Sequence, residues 1–253
     1  MNNQLSGMRK AQEREILPAV DLFPQVEYTG RKINSAKFGP NTYNTNVDSM
    51  GKRYFHSNDL SNVTFKPLST AESLAVACYD FANLAKPQIF IPNWLQAGLT
   101  LRASEGVWIN PLRNAKGEII TEERELNKHL IPKRKVNSIY LLDGDTSFVP
   151  YDTFEQGVQE HEKFLKSGLA RGLVYTAEKR ADSLSPIAND TEYTNQVNVR
   201  GFDSVREPLV KVVSLGSGGY VNGGRLVVDG DGGDGGFALG GLVSGEASAQ
   251  KNK

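Results

Sequence analysis

Two aspartates, Asp143 and Asp145, flank a glycine directly after the apolar run from Val136 to Leu142. Carboxylates at the carboxyl end of a strand are well placed to bind a divalent cation and to activate water for hydrolysis. Asp-Gly is also one of the commonest turn dipeptides, and the chain returns to apolar residues immediately afterwards. We expect a turn here and keep a cation-dependent hydrolase that uses both aspartates as an alternative function.

Three further aspartates, Asp229, Asp231 and Asp234, are separated by glycines near the end of the chain. Carboxylates on a flexible loop suit calcium, a hard cation that takes oxygen ligands. An EF-hand loop that began at Asp229 would need a glutamate at its twelfth position, where this chain has Gly240. We therefore expect a solvated segment and no metal site.

Histidine and cysteine are scarce in this sequence. The three histidines, His56, His129 and His161, fall on different predicted elements and lack the spacing of a metal site or a nucleophile relay. Cys78 falls on the apolar face of a predicted helix, where a buried small hydrophobe is expected rather than a reactive thiolate. The sequence also lacks a nucleophile elbow, a P-loop and a dinucleotide-binding glycine motif. We expect no catalytic residue, no cofactor and no enzyme.

One basic cluster, Lys133 to Lys135, follows Arg124 and Lys128. Such a cluster would contact phosphates, so a nucleic-acid-binding accessory protein is a second alternative. Aromatic residues for base stacking are missing from the cluster, and glutamates lie close by. We expect a solvated loop or a protein contact, and nucleic acid is not the expected partner.

The whole chain of 253 residues balances 29 basic against 29 acidic residues. Its overall charge therefore attracts neither nucleic acid nor an acidic membrane. The first residues lack the apolar run of a signal peptide, and no stretch of about 18 apolar residues would cross a membrane. We expect a protein that is neither secreted nor inserted in a membrane.

The elements that would position these residues lie in the middle of the chain. Ser69 and Glu72 form a capping box before a helix that Pro87 ends. Further helices are predicted from Glu122 to Leu130 and from Thr153 to Ser167, the latter ending at Gly168. The predicted strands are Gln88–Ile91, Gly106–Leu112, Glu118–Thr121, Val136–Leu142, Ser147–Tyr151, Leu173–Thr176, Pro208–Leu215 and Arg225–Val228. Short turns between strands indicate one small α+β domain with antiparallel-type strands and two to three helices.

The two ends differ from this domain. Residues 1–62 are rich in asparagine and contain scattered aromatics, which predicts an extended N-terminal arm rather than a solvated linker. Residues 216–253 contain 13 of the 25 glycines, all between Gly216 and Gly245. Glycine loses much backbone entropy on ordering, so such a segment requires a partner surface to hold one conformation. The predicted domain lies between them, at residues 63–215.

A small mixed domain with an asparagine-rich start, little cysteine or histidine and a glycine-rich end resembles virion proteins of tailed bacteriophages. The resemblance implies an accessory capsid, neck or tail subunit that assembles in the host cytoplasm. Its partners would be other structural subunits, in a homo-oligomer or a hetero-assembly. Large aromatic and apolar residues dominate such interfaces. The predicted contact residues are Phe23, Tyr28, Phe38 and Tyr43 in the arm, and Tyr220, Phe237 and Leu239 in the glycine-rich segment.

Overall fold

The computed structural model describes residues 26–28, 31–40, 66–83, 95–188, 195–217, 225–232 and 237–243. These residues form a mixed sheet with helices packed against it, which confirms the predicted α+β class. Among the described residues, two helices have eight or more residues and three are shorter. Within the described part of the chain, no helix has the length and apolarity that crossing a membrane requires.

In the described part of the chain, twelve strands, here labelled β1 to β12 in chain order, belong to the sheet. Their bounds are Val26–Tyr28 (β1), Arg31–Pro40 (β2), Lys66–Pro67 (β3), Leu95–Arg102 (β4), Gly106–Ile109 (β5), Tyr140–Leu141 (β6), Ser147–Pro150 (β7), Gly157–Glu160 (β8), Gln196–Arg200 (β9), Leu209–Ser217 (β10), Leu226–Asp229 (β11) and Phe237–Val243 (β12).

The main path through the sheet is β1-β2-β12-β4-β10-β11-β9-β8. A branch leaves β4 through β5 to β7 and β6, and β3 pairs with β12. The pairs β9–β11 and β4–β12 are parallel, and the other pairs are antiparallel. Most pairs are therefore antiparallel, as predicted, but short turns join only the pairs β1–β2, β4–β5 and β6–β7 among the described strands. The predicted strand Gln88–Ile91 lies outside the described residues.

The helices are Thr70–Asn83 (α1), Glu123–Leu130 (α2), His161–Leu165 (α3), Gly168–Leu173 (α4) and Ser185–Ala188 (α5). The predicted capping box begins α1: the Glu72 amide donates to Ser69 Oγ at 3.2 Å, and the Ser69 amide donates to Glu72 Oε2 at 2.8 Å. Cys78 is buried in this helix, as expected, and burial raises the pKa of its thiol. Local sequence alone accounts for the start of α1.

The predicted helix from Thr153 to Ser167 is wrong in its first half. Residues 151–153 form a 3-10 turn, and β8 follows before α3 begins at His161. Gly157 has a φ of 96°, which interrupts a right-handed helix. Pairing of β8 with β9, which comes about forty residues later in the chain, decides the conformation.

The predicted strand from Leu173 to Thr176 and the predicted stop at Gly168 are also wrong. Gly168 is the first residue of α4, whose N-cap is Ser167 with its Oγ accepting from the Ala170 amide at 3.1 Å. All six residues of α4 are buried. Because every residue of this short helix is buried, it has no polar face. Its sequence therefore lacks the alternation of apolar and polar residues that identifies a helix.

The hairpin predicted between residues 106–112 and 118–121 forms only in part. Its loop closes, since the Asn114 amide donates to the Glu118 carbonyl at 2.9 Å and Gly117 has a φ of 81°. The two sides meet at one bridge, Arg113 with Ile119. Strand β5 instead pairs with β4 and β7, and all four of its residues are buried.

Both chain ends contribute strands to the sheet. Strand β2 lies within the predicted arm 1–62, and β12 lies within the predicted segment 216–253. Strand β11 also falls in that segment, and its Leu226, Val227 and Val228 are 0% exposed. The division at residues 62 and 215 stays a prediction, but the core includes residues on the far side of the second boundary.

Candidate functional site

Strands β5 and β7 separate two apolar cores, because successive residues of a strand point to opposite faces of the sheet. Val107, Ile109 and Val149 belong to the larger core, which contains residues of α1, α4 and α5. Trp108 and Phe148 belong to a smaller core, which contains Leu126 of α2 and Leu101 of β4. The candidate site lies on the side of the smaller core.

A row of three aromatic residues crosses this face. Tyr140, Phe148 and Trp108 are successive register partners on β6, β7 and β5. The ring centroids are 6.0 Å apart between Tyr140 and Phe148, and 4.9 Å apart between Phe148 and Trp108. Cross-strand aromatic pairs of this kind stabilise a sheet and hold each other's orientation.

An open cleft of about 450 Å³ borders this aromatic row. Its apolar lining includes Leu130, Tyr140, Phe148, Pro150 and Tyr151. The lining also includes Ser104, Glu105, Lys135 and Asp152, and we call the whole depression the aromatic cleft. Its walls come from the β4–β5 turn, the end of α2, the loop before β6 and the end of β7.

Three charged side chains surround the aromatic cleft. Glu105 and Asp152 are exposed, and within the described residues neither carboxylate forms an ion pair. The ammonium group of Lys135 lies 5.6 Å from the centroid of the Tyr140 ring, at cation–π distance. The cleft therefore combines two unneutralised carboxylates with an aromatic face that already holds a cation.

Hydrogen bonds to backbone carbonyls hold Tyr151 in the cleft wall. Its hydroxyl lies 3.1 Å from the Ala103 carbonyl oxygen and 3.3 Å from that of Asp203, so it can donate to either. Burial raises the pKa of Tyr151 to about 12, and the nearby Arg102 opposes this rise. The phenol is therefore a neutral donor at ordinary pH and not a base.

The predicted basic cluster forms the loop beside the cleft. Lys133 Nζ lies 3.7 Å from Asp143 Oδ1, and Lys135 lies over Tyr140. Ile131, just before the cluster, is 82% exposed. Two of the three basic side chains thus contact this chain's own residues, and a large apolar side chain faces solvent beside them.

The two aspartates predicted as an alternative cation site have different environments. Asp143 is fully exposed and pairs with Lys133. Asp145 is 4% exposed and accepts a hydrogen bond from Ser69 Oγ at 2.9 Å. The chain turns between them as expected, with a φ of 69° at Gly144. Across the described ranges, no group of three or more histidine, cysteine, aspartate or glutamate residues could hold a metal.

The aspartates considered for calcium are engaged with basic residues. Asp229 Oδ2 accepts from Nε and from Nη2 of Arg200, each at 2.8 Å. Asp231 Oδ1 lies 2.8 Å from Lys211 Nζ and 3.7 Å from Arg102 Nη2. The hydrogen bond from Lys211 lowers the pKa of Asp231, and Arg102 adds to this. Asp234 lies outside the described residues.

Four of the seven predicted contact residues lie in described strands. Phe38 on β2 and Leu239 on β12 are register partners, although 200 residues separate them in the sequence. Phe237 pairs with Pro40, and Tyr28 pairs with Arg31. Phe23, Tyr43 and Tyr220 lie outside the described residues. The structure therefore brings together predicted contact residues from both ends of the chain.

The aromatic cleft itself was not predicted. Its residues come from separate segments around positions 104, 130–135, 140 and 148–152, which no local motif connects. The available signal is the alternation in Gly106–Ile109 and Ser147–Pro150, where Trp108 and Phe148 fall on the same face of paired strands. That signal requires the pairing of β5 with β7 to be known first.

No protein-family model matches this chain, and no curated protein sequence matches it. A chain solved for a study of the accommodation of massive sequence variation in Nanoarchaeota by the C-type lectin fold is similar to it at 16% identity. The TM-score is 0.41, and the match covers 70% of this chain and 87% of that chain. A likeness of this strength carries no argument about function.

Proposed function

We propose that this protein is a non-catalytic structural subunit of a large assembly, a virion protein of a tailed bacteriophage, which contacts neighbouring subunits through its terminal strands. Its partners are other structural subunits, and its place is the virion, as a capsid-associated, neck or tail component. The supporting observation is the pairing of the two chain ends with each other.

The terminal strands bond to each other more extensively than to the core. Seven residues of β12 are register partners of β2, whereas two pair with β4 and two with β3. Strand β2 of one copy can pair with β12 of a neighbouring copy through the same seven register positions, so exchange of a single terminal strand keeps these hydrogen bonds. Exchange of identical elements between copies is a low-cost route to assembly.

Engineered disulfides test this proposal directly. Phe38→Cys with Leu239→Cys, in a Cys78→Ala background, places thiols at register partners, whose Cα atoms in an antiparallel pair are about 4.5 to 5.5 Å apart. Exchanged strands give covalent dimers and higher oligomers on oxidation. Disulfides found only within single chains would overturn strand exchange.

An off-register pair is the matched control. Asn34→Cys with Leu239→Cys separates the thiols along β2, since the partner of Asn34 is Leu242. We expect little cross-linking from this pair. Light scattering of the unmodified chain gives the size of the assembly, and mass spectrometry of purified phage particles tests the virion assignment. A monomer that is absent from such particles would refute the proposed function.

A further inference from the structure

We propose that the aromatic cleft binds an arginine side chain of a partner protein, with the guanidinium group held over the Tyr140 ring between Glu105 and Asp152. This inference does not depend on the terminal strands, because it concerns another surface. It assigns a specific binding chemistry to a site that the proposed function leaves unused.

The charges of the cleft favour a cation. Glu105 and Asp152 are two exposed carboxylates on its lining, and among described residues neither has a cationic partner. The one positive charge on the cleft lining is the ammonium group of Lys135. A ligand that adds a single positive charge neutralises the cleft.

The aromatic lining narrows the choice of cation. Lys135 at 5.6 Å from the Tyr140 centroid demonstrates that this ring face accepts a positive charge. Arginine is planar, stacks on aromatic rings and forms paired hydrogen bonds with carboxylates, which a lysine ammonium group cannot do together. The cleft volume of about 450 Å³ holds a guanidinium group with its aliphatic stem against Leu130 and Pro150.

The rigidity of the cleft supports binding of a long side chain. Phe148 is 5% exposed and packs at tilted ring angles between Tyr140 and Trp108, and the Tyr151 hydroxyl bonds to backbone carbonyls. A preformed wall reduces the ordering that a ligand must drive. The Lys135 side chain must move when the ligand binds, because its displacement from Tyr140 frees the ring face.

The test uses the tripeptide acetyl-Gly-Arg-Gly-amide with the full chain. Its matched control replaces arginine with citrulline, which has nearly the same shape without the charge. We expect the arginine peptide to shift the backbone amide NMR signals of Glu105, Tyr140 and Asp152 in a saturable way. The citrulline peptide is expected to leave them in place.

Substitutions identify the groups that bind. Glu105→Gln and Asp152→Asn should each weaken binding by about tenfold, since each removes a charge-assisted hydrogen bond. Lys135→Met should strengthen binding several-fold because it removes the competing cation. Glu207→Gln, an exposed change outside the cleft lining, is the control and should have no effect.

Two results would overturn the inference. The first is an absence of saturable shifts with the arginine peptide while the protein remains folded. The second is stronger binding of acetyl-Gly-Glu-Gly-amide, which would make Lys135 the binding group. Neither result bears on the disulfide experiment, so failure of this site and failure of the assembly proposal are distinguishable.

Discussion

Ser69 has two roles at the start of α1. Its Oγ accepts a hydrogen bond from the Glu72 amide and donates one to the buried carboxylate of Asp145. The same hydroxyl thus caps a helix and connects it to the turn after β6. The capping role follows from four consecutive residues of sequence, whereas the bond to Asp145 spans 76 positions and is visible only in the structure.

Replacement of Ser69 by alanine should lower the free energy of unfolding by about 1 to 2 kcal/mol, because it removes a helix cap and a partner of a buried acid. Ser167→Ala is the matched control, since Ser167 Oγ caps α4 without bonding to a carboxylate in the described residues. Urea unfolding of both variants measures the difference. An equal loss of unfolding free energy in the two variants would show that the bond to Asp145 contributes nothing.

Asp231 should make stability depend on pH in the acid range. Its pKa is lowered from 3.8 by the hydrogen bond from Lys211, so the folded state favours the ionised form. The stabilisation is present above 3.8 and is lost as pH falls through the folded-state pKa. Asp231→Asn should destabilise by less than about 1 kcal/mol near neutral pH, because the side chain is half-exposed and the pairs are screened.

Thermal unfolding at about pH 7 and about pH 3 tests this expectation. The difference in melting temperature between Asp231→Asn and the unmodified protein should shrink at the lower pH, because the unfolded chain is then largely protonated at this carboxylate and the stabilisation declines as pH approaches the lowered folded-state pKa. A difference in melting temperature that is the same at both pH values would instead indicate that the substitution removes packing or neutral hydrogen bonds.

Helix α1 packs tightly against β4 where Gly98 faces Thr70. A Cβ at Gly98 would overlap Thr70 Oγ1 and lie 3.0 Å from Thr70 Cβ. The Thr70 hydroxyl is buried without a hydrogen-bond partner among the described residues. The glycine therefore allows the helix to lie close against the strand.

Gly98→Ala should destabilise the protein by about 1 to 3 kcal/mol through overpacking. Thr70→Ala alone should have little effect, since it removes an unpartnered hydroxyl. The double variant should recover part of the loss, and a double-mutant cycle in urea measures this coupling. Strict additivity of the two changes would mean that the two residues do not collide.

The elements also show which parts of this fold can be predicted. Helix α1 begins at its predicted capping box, and α2 begins one residue after the start of the predicted helix Glu122–Leu130, so both helices are confirmed. Strand β8 and helix α4 were mispredicted because their conformation depends on β9 and on burial from all sides. The aromatic cleft depends on strand pairing in the same way, so no local pattern reveals it.

At the scale of the whole molecule, the core extends beyond residue 215. Truncation after Gly232 should leave a chain that unfolds cooperatively, because β11 is retained. Truncation after Leu215 should abolish cooperative unfolding, because it removes Leu226, Val227 and Val228 from the core. Circular dichroism during heating distinguishes the two. A cooperative transition in the shorter chain would place β11 outside the essential core.

The last described strand, β12, lies between β2 and β4 in the sheet. On the ribosome, β2 is therefore complete long before its partner exists, since about 200 residues must still be added. At about 5 to 20 residues per second this delay is roughly 10 to 40 s. During that time β2 has an open edge in reach of other nascent chains, so the speed and crowding of translation bear on which copy it finally pairs with.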